Sequence, residues 1–336
     1  MPTLFIVHLG GQWPHYIGDC VKQARLMNPV ETTDILLLVN KKQSARVVDL
    51  ESLYKVKTVF LEDLQQTEKH REFLGKIVTM VDLQFRKQYW QYVFERFFVL
   101  EDYCKDKDLR SIYMIETDNM LYVPLQLLEQ SESLFSQDMA APFDRLEEGY
   151  PSIVFFRNVE AISKFTEYMM SILRSTYMSD MKILGKYRLE HPEEVFSYPV
   201  LPHSCNTPLR KRTSLLGNYS AEAEQTKFLS DPRFLFVFDA IAYGQALGGI
   251  DPRNVDGVKS VGFPNESALY TIAETQFGWC RLKNRWFPIV NHQPLVNLHI
   301  HSKALSLFLS DSENMPSGNY DAKELQKNLE NDLKDF

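Results

Sequence analysis

The first 140 residues alternate between short apolar runs and helical patterns, and this alternation restricts the possible folds most. Apolar runs of strand length occupy residues 3–9, 34–39, 57–60 and 111–115. Helical patterns fall between them, at residues 14–27, 67–82 and 87–104. Strands that alternate with helices are joined by right-handed crossovers and form a mainly parallel sheet. The sequence therefore predicts an α/β fold in which helices flank a mainly parallel central sheet.

The second half of the chain is less regular. Its patterns predict a strand at 151–156, a helix at 159–175, helix and turn at 234–249, and a strand at 295–303. A loop rich in Pro, Ser and Asn is predicted at 198–231, ahead of the helix and turn at 234–249. Residues 320–336 read as a charged amphipathic helix with Leu325, Leu329 and Leu333 on one stripe. We predict one domain over residues 1–310 and a tail helix within 311–336.

Charge excludes one class of partner. The net charge is −7 and there is no long basic run. Sequence-independent binding of nucleic acid needs clustered Lys and Arg that displace counterions. No nucleic-acid partner is therefore predicted, and the short stretch Arg210-Lys211-Arg212 reads as a solvated loop.

The cysteines and the N-terminus indicate the compartment. Cys20, Cys104, Cys205 and Cys280 lie far apart and form no CxxC pair, which argues against a thiolate zinc site and a disulfide framework. The N-terminal apolar run is too short for a signal peptide or a membrane span. A cytoplasmic protein with reduced thiols and no transmembrane segment is expected.

Two carboxylates interrupt the apolar pattern where the fourth predicted strand ends, in the stretch Glu116-Thr117-Asp118. In parallel sheets, ligands collect beyond the carboxyl ends of the strands. Hard oxygen ligands at such a rim suit Mg²⁺ or Mn²⁺. The alternative is a solvated turn in which Asp118 caps a helix that starts near Val123.

A second polar group lies in "VNLHIHSK", residues 296–303. Read as a strand, it directs Leu298 and Ile300 to one face and three potentially cationic residues to the other; these are His299, His301 and Lys303. Imidazole is a good metal ligand, and the lysine ammonium is a point-charge partner for phosphate. The alternative is an edge strand with one wet face.

Two further stretches carry polar groups among apolar ones. In "FDAIAYGQALGGIDPRN", adjacent glycines permit a tight turn or a close approach to a ligand, and the surrounding donors and acceptors suit a sugar. These groups are Asp239, Gln245, Asp251, Arg253 and Asn254. An Asp-Pro turn is the structural alternative. In the helix at 89–103, Arg96 is placed to reach a nucleotide, or to pair with Glu95 within the helix.

The ordered set "VHLGG", "ILLLVN", "ERFF" and "ETDN" resembles the GT-A class of glycosyltransferases. The stretch "ETDN" is similar to the DxD motif of that class, with Glu in place of the first Asp. A late histidine matches the usual third metal ligand. The stretches "FDAIAYGQALGGIDPRN", "GFPNES" and "NLHIHSK" resemble a poorly characterised group of such enzymes from microbes and large viruses. The resemblance spans most of residues 1–309.

The resemblance implies a site. Asp118, with Glu116, would bind Mn²⁺ or Mg²⁺ that bridges the diphosphate of a nucleotide-sugar, and His301 would be a further ligand, preferred over His299. The same resemblance assigns nucleotide contacts to His8, Leu9, Gly10, Asn40 and Arg96. Lys303 would neutralise the leaving diphosphate. Residues 1–140 would form the nucleotide-sugar-binding half and residues 141–310 the acceptor half.

The predicted function is metal-dependent transfer of a hexosyl or pentosyl group from a nucleotide-sugar, with a UDP-sugar preferred, to a hydroxyl acceptor. An inverting reaction needs a carboxylate base; Asp251 is the first candidate, Asp239 the second and Asp180 the third. A retaining reaction needs none there, and both outcomes stay open. A nucleotidyltransferase acting on sugar phosphates is the alternative, although the loop at residues 10–14 holds no Lys or Arg. A non-catalytic binding protein with a GT-A-like fold is a third possibility.

Overall fold

The computed structural model describes residues 1–77, 88–145, 147–205, 234–251, 272 and 275–316. Several sequence predictions lie outside the described residues. These are residues 206–231 of the predicted loop, including the basic stretch at 210–212, the residues Arg253 and Asn254, the "GFPNES" stretch and the tail helix at 320–336.

A seven-stranded sheet forms the centre of the described residues. Its strands, in spatial order, are β3 (Lys57–Phe60), β2 (Asp34–Val39), β1 (Thr3–His8), β4 (Arg110–Glu116), β7 (Ile153–Asn158), β6 (Met139–Pro142) and β8 (Val195–Tyr198). The first four are mutually parallel, β7 runs antiparallel to both β4 and β6, and β8 is parallel to β6. The predicted α/β class with a mainly parallel sheet is confirmed.

Helices cover this sheet and bury it. The α-helices among the described residues are α1 (Ile17–Met27), α2 (Ser44–Tyr54), α3 (Glu68–Glu72), α4 (Tyr89–Cys104), α5 (Leu125–Ser131), α6 (Val159–Leu173), α7 (Asp180–Glu190) and α8 (Ala242–Gly248). Strands buried on both faces read as nearly continuous apolar runs, which is why β1, β2 and β4 were visible in the sequence. Their buried side chains join those of the helices in one continuous hydrophobic core.

Two small sheets complete the described fold. Strand β5 (Asn119–Leu121) follows β4 after a turn and pairs antiparallel with β12 (Asn297–His299). Strands β9 (Phe277–Leu282), β10 (Arg285–Val290) and β11 (Gln293–Pro294) form an antiparallel sheet of their own. The β5–β12 pair matters most for the site, because it brings the late part of the chain to the end of β4.

The predicted strand at 295–303 is much shorter in the structure. Strand β12 ends at His299 and the chain turns at residues 301–302. The alternation of strand faces therefore stops before His301 and Lys303, and it cannot direct all three cationic residues to one side.

The predicted helix at 67–82 is also interrupted. Helix α3 ends at Glu72, and a π-helical turn, Phe73–Ile77, follows it.

A crevice is expected where the strand order reverses. From β1 the chain continues to β2 and β3 on one side, whereas β4 lies on the other side of β1. Ligands of open α/β sheets bind beyond the carboxyl ends of the strands at such a switch point. His8 ends β1 and Glu116 ends β4 there.

The structure also shows the environment of the cysteines and the character of the helices. All four cysteines are buried and free. Among the described residues, no helix combines the length and apolar character needed to cross a membrane.

Candidate functional site

Three potential metal ligands converge at the carboxyl end of β4. Glu116 is the last residue of β4, Asp118 lies in the following turn, and His299 ends β12. The Nε2 atom of His299 lies 3.3 Å from Oδ2 of Asp118 and 3.5 Å from Oε2 of Glu116. One ligand atom from each residue lies within 4.8 Å of the other two.

Backbone pairing between β5 and β12 sets this convergence. His299 is paired in register with Asn119, the residue next to Asp118. The ladder continues beyond the strand, since the Ile300 N–H donates to the Asp118 carbonyl at 2.9 Å. Leu298 and Ile300 point into the core, so the residue between them faces the opposite way.

A backbone carbonyl orients the His299 ring. The Nδ1 atom lies 3.1 Å from the Ala240 carbonyl oxygen, which can only accept, so Nδ1 carries the hydrogen. Nε2 is therefore the atom that faces the two carboxylates, and a cation bound between them would take its lone pair. A carbonyl partner of this kind is the usual means by which proteins orient a metal-binding histidine.

Asp239 fixes the backbone that surrounds His299. Its Oδ2 accepts from the His299 N–H at 2.9 Å and from the Gly244 N–H at 2.8 Å, and its Oδ1 accepts from the Tyr243 N–H at 2.9 Å. Burial raises the pKa of Asp239 to about 6, against the opposing effect of these donors. Both oxygens are engaged in capping α8 and holding β12, so the prediction that Asp239 acts as a base is not supported by its geometry.

Glycine residues let α8 lie directly against β12. A Cβ on Gly244 would lie 2.1 Å from the His299 carbonyl oxygen, which no side chain permits. Gly249 follows α8 with φ of +81° and ends the helix in the left-handed region. The sequence predicted either a tight turn or a close approach to a ligand at the paired glycines. Gly249 forms the turn.

A buried amide network supports the same elements. The Asn297 side chain donates to the Asp239 carbonyl at 2.8 Å and to Oδ1 of Asn119 at 3.0 Å. Its own Oδ1 accepts from the Asp239 N–H at 3.1 Å, and the Ser152 hydroxyl donates to the Asp239 carbonyl at 3.0 Å. These bonds join β5, β12, the residue before β7 and the chain before α8 into one unit.

Arg96 of α4 is held between two carboxylates of the site. Nη1 contacts Oε1 of Glu116, and Nη2 donates to Oδ2 of Asp180 at 2.6 Å. The alternative of an ion pair with Glu95 is wrong, because Glu95 instead contacts His70 and Gln91. Arg96 thus joins β4 to the start of α7.

The electrostatics of this group follow from burial and partner charge. Burial alone would raise the pKa of Glu116, but Arg96, His299 and Lys303 outweigh it and lower that pKa. The pKa of Asp180 is raised, because burial and the nearby Glu116 outweigh Arg96. Burial would lower the pKa of Arg96, but Glu116 and Asp180 raise it. The guanidinium therefore stays charged.

Lys303 reaches the same cluster from the turn after β12. Its Nζ contacts Oδ2 of Asp118, the oxygen that also faces His299. The side chains of Lys303 and Asp118 are 14% and 12% exposed, so this ion pair is largely removed from solvent. Asp118 thereby differs from the predicted alternative of a solvated helix cap.

His301 lies in a different environment from His299. The Asp251 N–H donates to Nδ1 of His301 at 2.9 Å, and His301 is not among the three grouped ligands. The physical reason is the early end of β12, which removes His301 from the face that His299 occupies. The sequence preference for His301 over His299 is thus reversed by the geometry, and Asp251 lies beside His301.

The predicted nucleotide contacts surround the loop between β1 and α1. The Gly10 N–H donates to Oδ1 of Asn40 at 2.8 Å, and φ of Gly10 is +111°. A Cβ on Gly10 would lie 2.9 Å from the Tyr92 ring, so the loop packs closely on α4. Leu9 is buried, and Nε2 of His8 lies 2.8 Å from the Gln12 carbonyl. Burial lowers the pKa of His8, which keeps its ring neutral at pH 7.

Three features of the structure were not identified from the sequence. The carbonyl of Ala240 carries no side-chain signal at all. Asn297 lies two residues before His299, and period two could have placed both on one face. Asp144 follows β6, is fully buried, and among the described residues neither of its side-chain oxygens has a hydrogen-bond partner. Burial raises the pKa of Asp144 to about 8.

The grouped donors fit a divalent ion of the Mn²⁺ type. Two carboxylate oxygens and one imidazole nitrogen form a mixed oxygen and nitrogen set. Adjacent ligands of an octahedral ion at about 2.2 Å lie about 3.1 Å from each other, close to the separations of His299 from Asp118 and Glu116. Glu116, Asp118 and His299 are therefore the residues that could hold such an ion.

Comparison with known proteins gives likeness in structure but not in sequence. No protein-family profile matches the chain, and no curated protein matches it. The apo form of mouse xyloside xylosyltransferase 1 is similar, with a TM-score of 0.40 and 10% identity over 61% of this chain and 88% of that chain. The galactosyltransferase LgtC, in complex with donor and acceptor sugar analogs, gives 0.42 and 14% over 60% and 74%.

A cytidylyltransferase from Leptospira borgpetersenii is also similar, with a TM-score of 0.35 and 10% identity over 59% of this chain and 75% of that chain. The three similar structures are thus those of a xylosyltransferase, a galactosyltransferase and a cytidylyltransferase. Because these TM-scores and sequence identities are low, the likenesses indicate neither the donor, the metal nor the acceptor of this protein. Inferences about function therefore depend on the geometry of the site.

Proposed function

We propose that this protein transfers a glycosyl group from a nucleotide-diphosphate sugar to a hydroxyl acceptor, with Mn²⁺ or Mg²⁺ held by Glu116, Asp118 and His299. The observation that supports this most is the convergence of these three ligand atoms, within 4.8 Å of each other, beyond β4. They lie at the switch point of a parallel sheet, where such folds bind ligands. UDP is the nucleotide to test first.

The reaction breaks the bond between the sugar C1 and the diphosphate oxygen, which keeps the bonding electrons. A new bond forms between C1 and the acceptor oxygen, whose proton must leave. When bound, a divalent ion would stabilise the negative charge that develops on the diphosphate. Lys303 is the residue of this chain that adds a second positive charge there, and stabilisation of this charge lowers the barrier because it grows in the transition state.

Other residues hold the arrangement in place. Arg96 orients Glu116 and Asp180 through its two ion pairs, and its own burial leaves it little freedom to do more. Asn40 and Gly10 are assigned to the nucleotide, together with His8 and Leu9, because they line the loop after β1. For an inverting transfer we assign the base to Asp251, which lies beside His301 and whose carboxylate is buried. A retaining transfer needs no base at that place.

The test is hydrolysis of a UDP-sugar to UDP by the purified protein. We expect activity with Mn²⁺, and a loss of at least about a hundredfold on metal removal or in Asp118→Ala, because both remove charge stabilisation in the transition state. Asp34→Ala is the matched control, since Asp34 begins β2 and so lies at the amino ends of the parallel strands, away from the carboxyl ends that carry the site. Equal rates in all cases would contradict the proposal, and pyrophosphate release from a nucleoside triphosphate would favour a nucleotidyltransferase.

A further inference from the structure

We propose that Lys303 is the counter-ion of the metal-free site, and that it exchanges its place on Asp118 for the divalent ion when metal and diphosphate bind. This inference rests on the proposed function and adds a coupling between its two ligands. The ammonium serves two partners in turn: the Asp118 carboxylate before binding, and the diphosphate after it.

One oxygen of Asp118 is contacted from two sides. Oδ2 of Asp118 contacts Nζ of Lys303 and also lies 3.3 Å from Nε2 of His299. A divalent ion between Asp118 and His299 would lie within a few ångströms of the ammonium. Like charges at that separation repel strongly in a partly buried site. The ammonium must therefore move away from Asp118 when the ion binds.

The Asp118 carboxylate needs a cation both before and after the metal binds. The Asp118 side chain is 12% exposed, and Glu116 brings a second carboxylate to the same cluster. Arg96 is already shared by Glu116 and Asp180. A largely buried carboxylate without a cation is costly. Lys303 provides that charge in the structure, so it supports the folded site before any metal binds.

The Lys303 side chain can move while its backbone stays fixed. Lys303 has φ of +68°, a left-handed conformation in a turn that is closed by its N–H donating to the Ile300 carbonyl at 3.0 Å. This turn fixes the Cα position directly after β12. The side chain beyond it is a flexible four-carbon stem with a compact charge. Rotation of that stem moves the ammonium without moving the backbone that carries His299.

The exchange makes metal and nucleotide bind cooperatively. Lys303 competes with the ion for Asp118, so it weakens metal binding on its own. A diphosphate gives the displaced ammonium a new partner, so nucleotide removes that competition. By linkage, the metal must then strengthen nucleotide binding by the same factor.

The experiment is calorimetric titration of Mn²⁺ into the wild type and Lys303→Met, followed by titration of UDP at saturating Mn²⁺. We expect Lys303→Met to bind Mn²⁺ about tenfold more tightly without nucleotide, and UDP about tenfold more weakly with Mn²⁺. Lys303→Arg retains the charge and should behave as the wild type. Lys57→Met is the matched control, because Lys57 pairs with Asp34 at the amino ends of β3 and β2, away from the carboxyl ends that carry the site; both of its affinities should stay within about twofold.

Opposite signs of the two effects in Lys303→Met support the exchange, because a general loss of folding would weaken both affinities. Mn²⁺ affinity that is equal to or lower than that of the wild type would overturn the exchange alone. Unchanged UDP affinity in the same variant would overturn the second half of the exchange, the transfer of the ammonium to the diphosphate. Absence of Mn²⁺ binding in all variants, with and without UDP, would overturn the proposed function together with it.

Discussion

The Nε2 atom of His299 faces Oδ2 of Asp118 at 3.3 Å, although the two residues belong to distant parts of the chain. Pairing of β12 with β5 produces this contact, and the Ala240 carbonyl sets the ring tautomer. The relationship separates two histidines that the sequence presents as near equivalents, since His301 instead accepts from the Asp251 N–H.

The two histidines give the first prediction. We expect His299→Ala to lower Mn²⁺ affinity by about 10–100-fold, because it removes a direct ligand. His301→Ala, the matched control, should stay within about threefold of the wild type. Calorimetric titration of Mn²⁺ in the presence of UDP measures both. A larger loss in His301→Ala than in His299→Ala would restore the preference drawn from the sequence.

The second prediction concerns Arg96. Arg96→Met leaves the buried carboxylates of Glu116 and Asp180 without their cation. Removal of one partner from a buried ion pair destabilises a protein by about 3–5 kcal/mol. Arg174→Met, which removes a 41% exposed arginine paired with Glu72 and Glu167, should cost less than about 1 kcal/mol. Urea unfolding of the two variants gives the comparison, and similar losses would argue against a tightly held Arg96.

The third prediction concerns the contact between α8 and β12. Gly244→Ala places a methyl group 2.1 Å from the His299 carbonyl oxygen, so either the helix or the strand must move. We expect a loss of about 2–4 kcal/mol in unfolding free energy. Gly18→Ala is the control, because its methyl would meet only Leu50 at 3.8 Å; it should stabilise α1 by about 0.5–1 kcal/mol.

The Mn²⁺ affinity of Gly244→Ala is a second measurement of the contact between α8 and β12. Displacement of the His299 backbone in Gly244→Ala should weaken Mn²⁺ binding at temperatures where the variant is still folded. A folded Gly244→Ala protein with wild-type Mn²⁺ affinity would show that this backbone contact does not position His299.

The fourth prediction is a pH dependence caused by Asp144. Burial raises its pKa from 3.8 to about 8 in the folded protein. Between these values the unfolded state loses the proton and the folded state keeps it, so stability falls as pH rises from about 4 to about 8. Asp144→Asn removes this dependence. Near pH 4 the free energy of unfolding of the variant should be close to that of the wild type. Near pH 8 it should be higher than that of the wild type, by on the order of a few kcal/mol.

Chemical unfolding at pH 4.5 and pH 8 measures this difference. Asp108→Asn is the control, because its side chain is 92% exposed; its effect should stay within about 0.5 kcal/mol at both pH values. An Asp144→Asn effect that is the same at both pH values would mean that Asp144 is not held in its neutral form.

The parallel half of the fold could be predicted because its signals are local. Strands β2 and β3 have the predicted limits. The residues of β2 after Asp34 are buried and form the continuous apolar run expected inside a parallel sheet, whereas β3 is a short edge strand that is only half-buried. Glu116 and Asp118 could be identified from a local signal as well. They come at the end of the apolar run of β4, at the carboxyl ends of the strands, where ligands bind.

The rest of the site depends on contacts between distant segments. The length of β12 is set by its pairing with three residues of β5, and no local pattern of 296–303 reveals where that pairing stops. The role of Asp239 depends on three backbone N–H groups from α8 and β12. The reversal of direction at β7 likewise reflects its pairing with β4, not its own residues.

The central claim is that Glu116, Asp118 and His299 hold one divalent ion beneath a nucleotide diphosphate. Anomalous X-ray scattering from crystals grown with Mn²⁺ and UDP tests it most directly. We expect one peak about 2.0–2.3 Å from the carboxylate oxygen of Asp118 and from Nε2 of His299, with the diphosphate beside it. A peak only at the other group of potential ligands, His191, Glu193 and Glu194, or no peak at all, would contradict the claim.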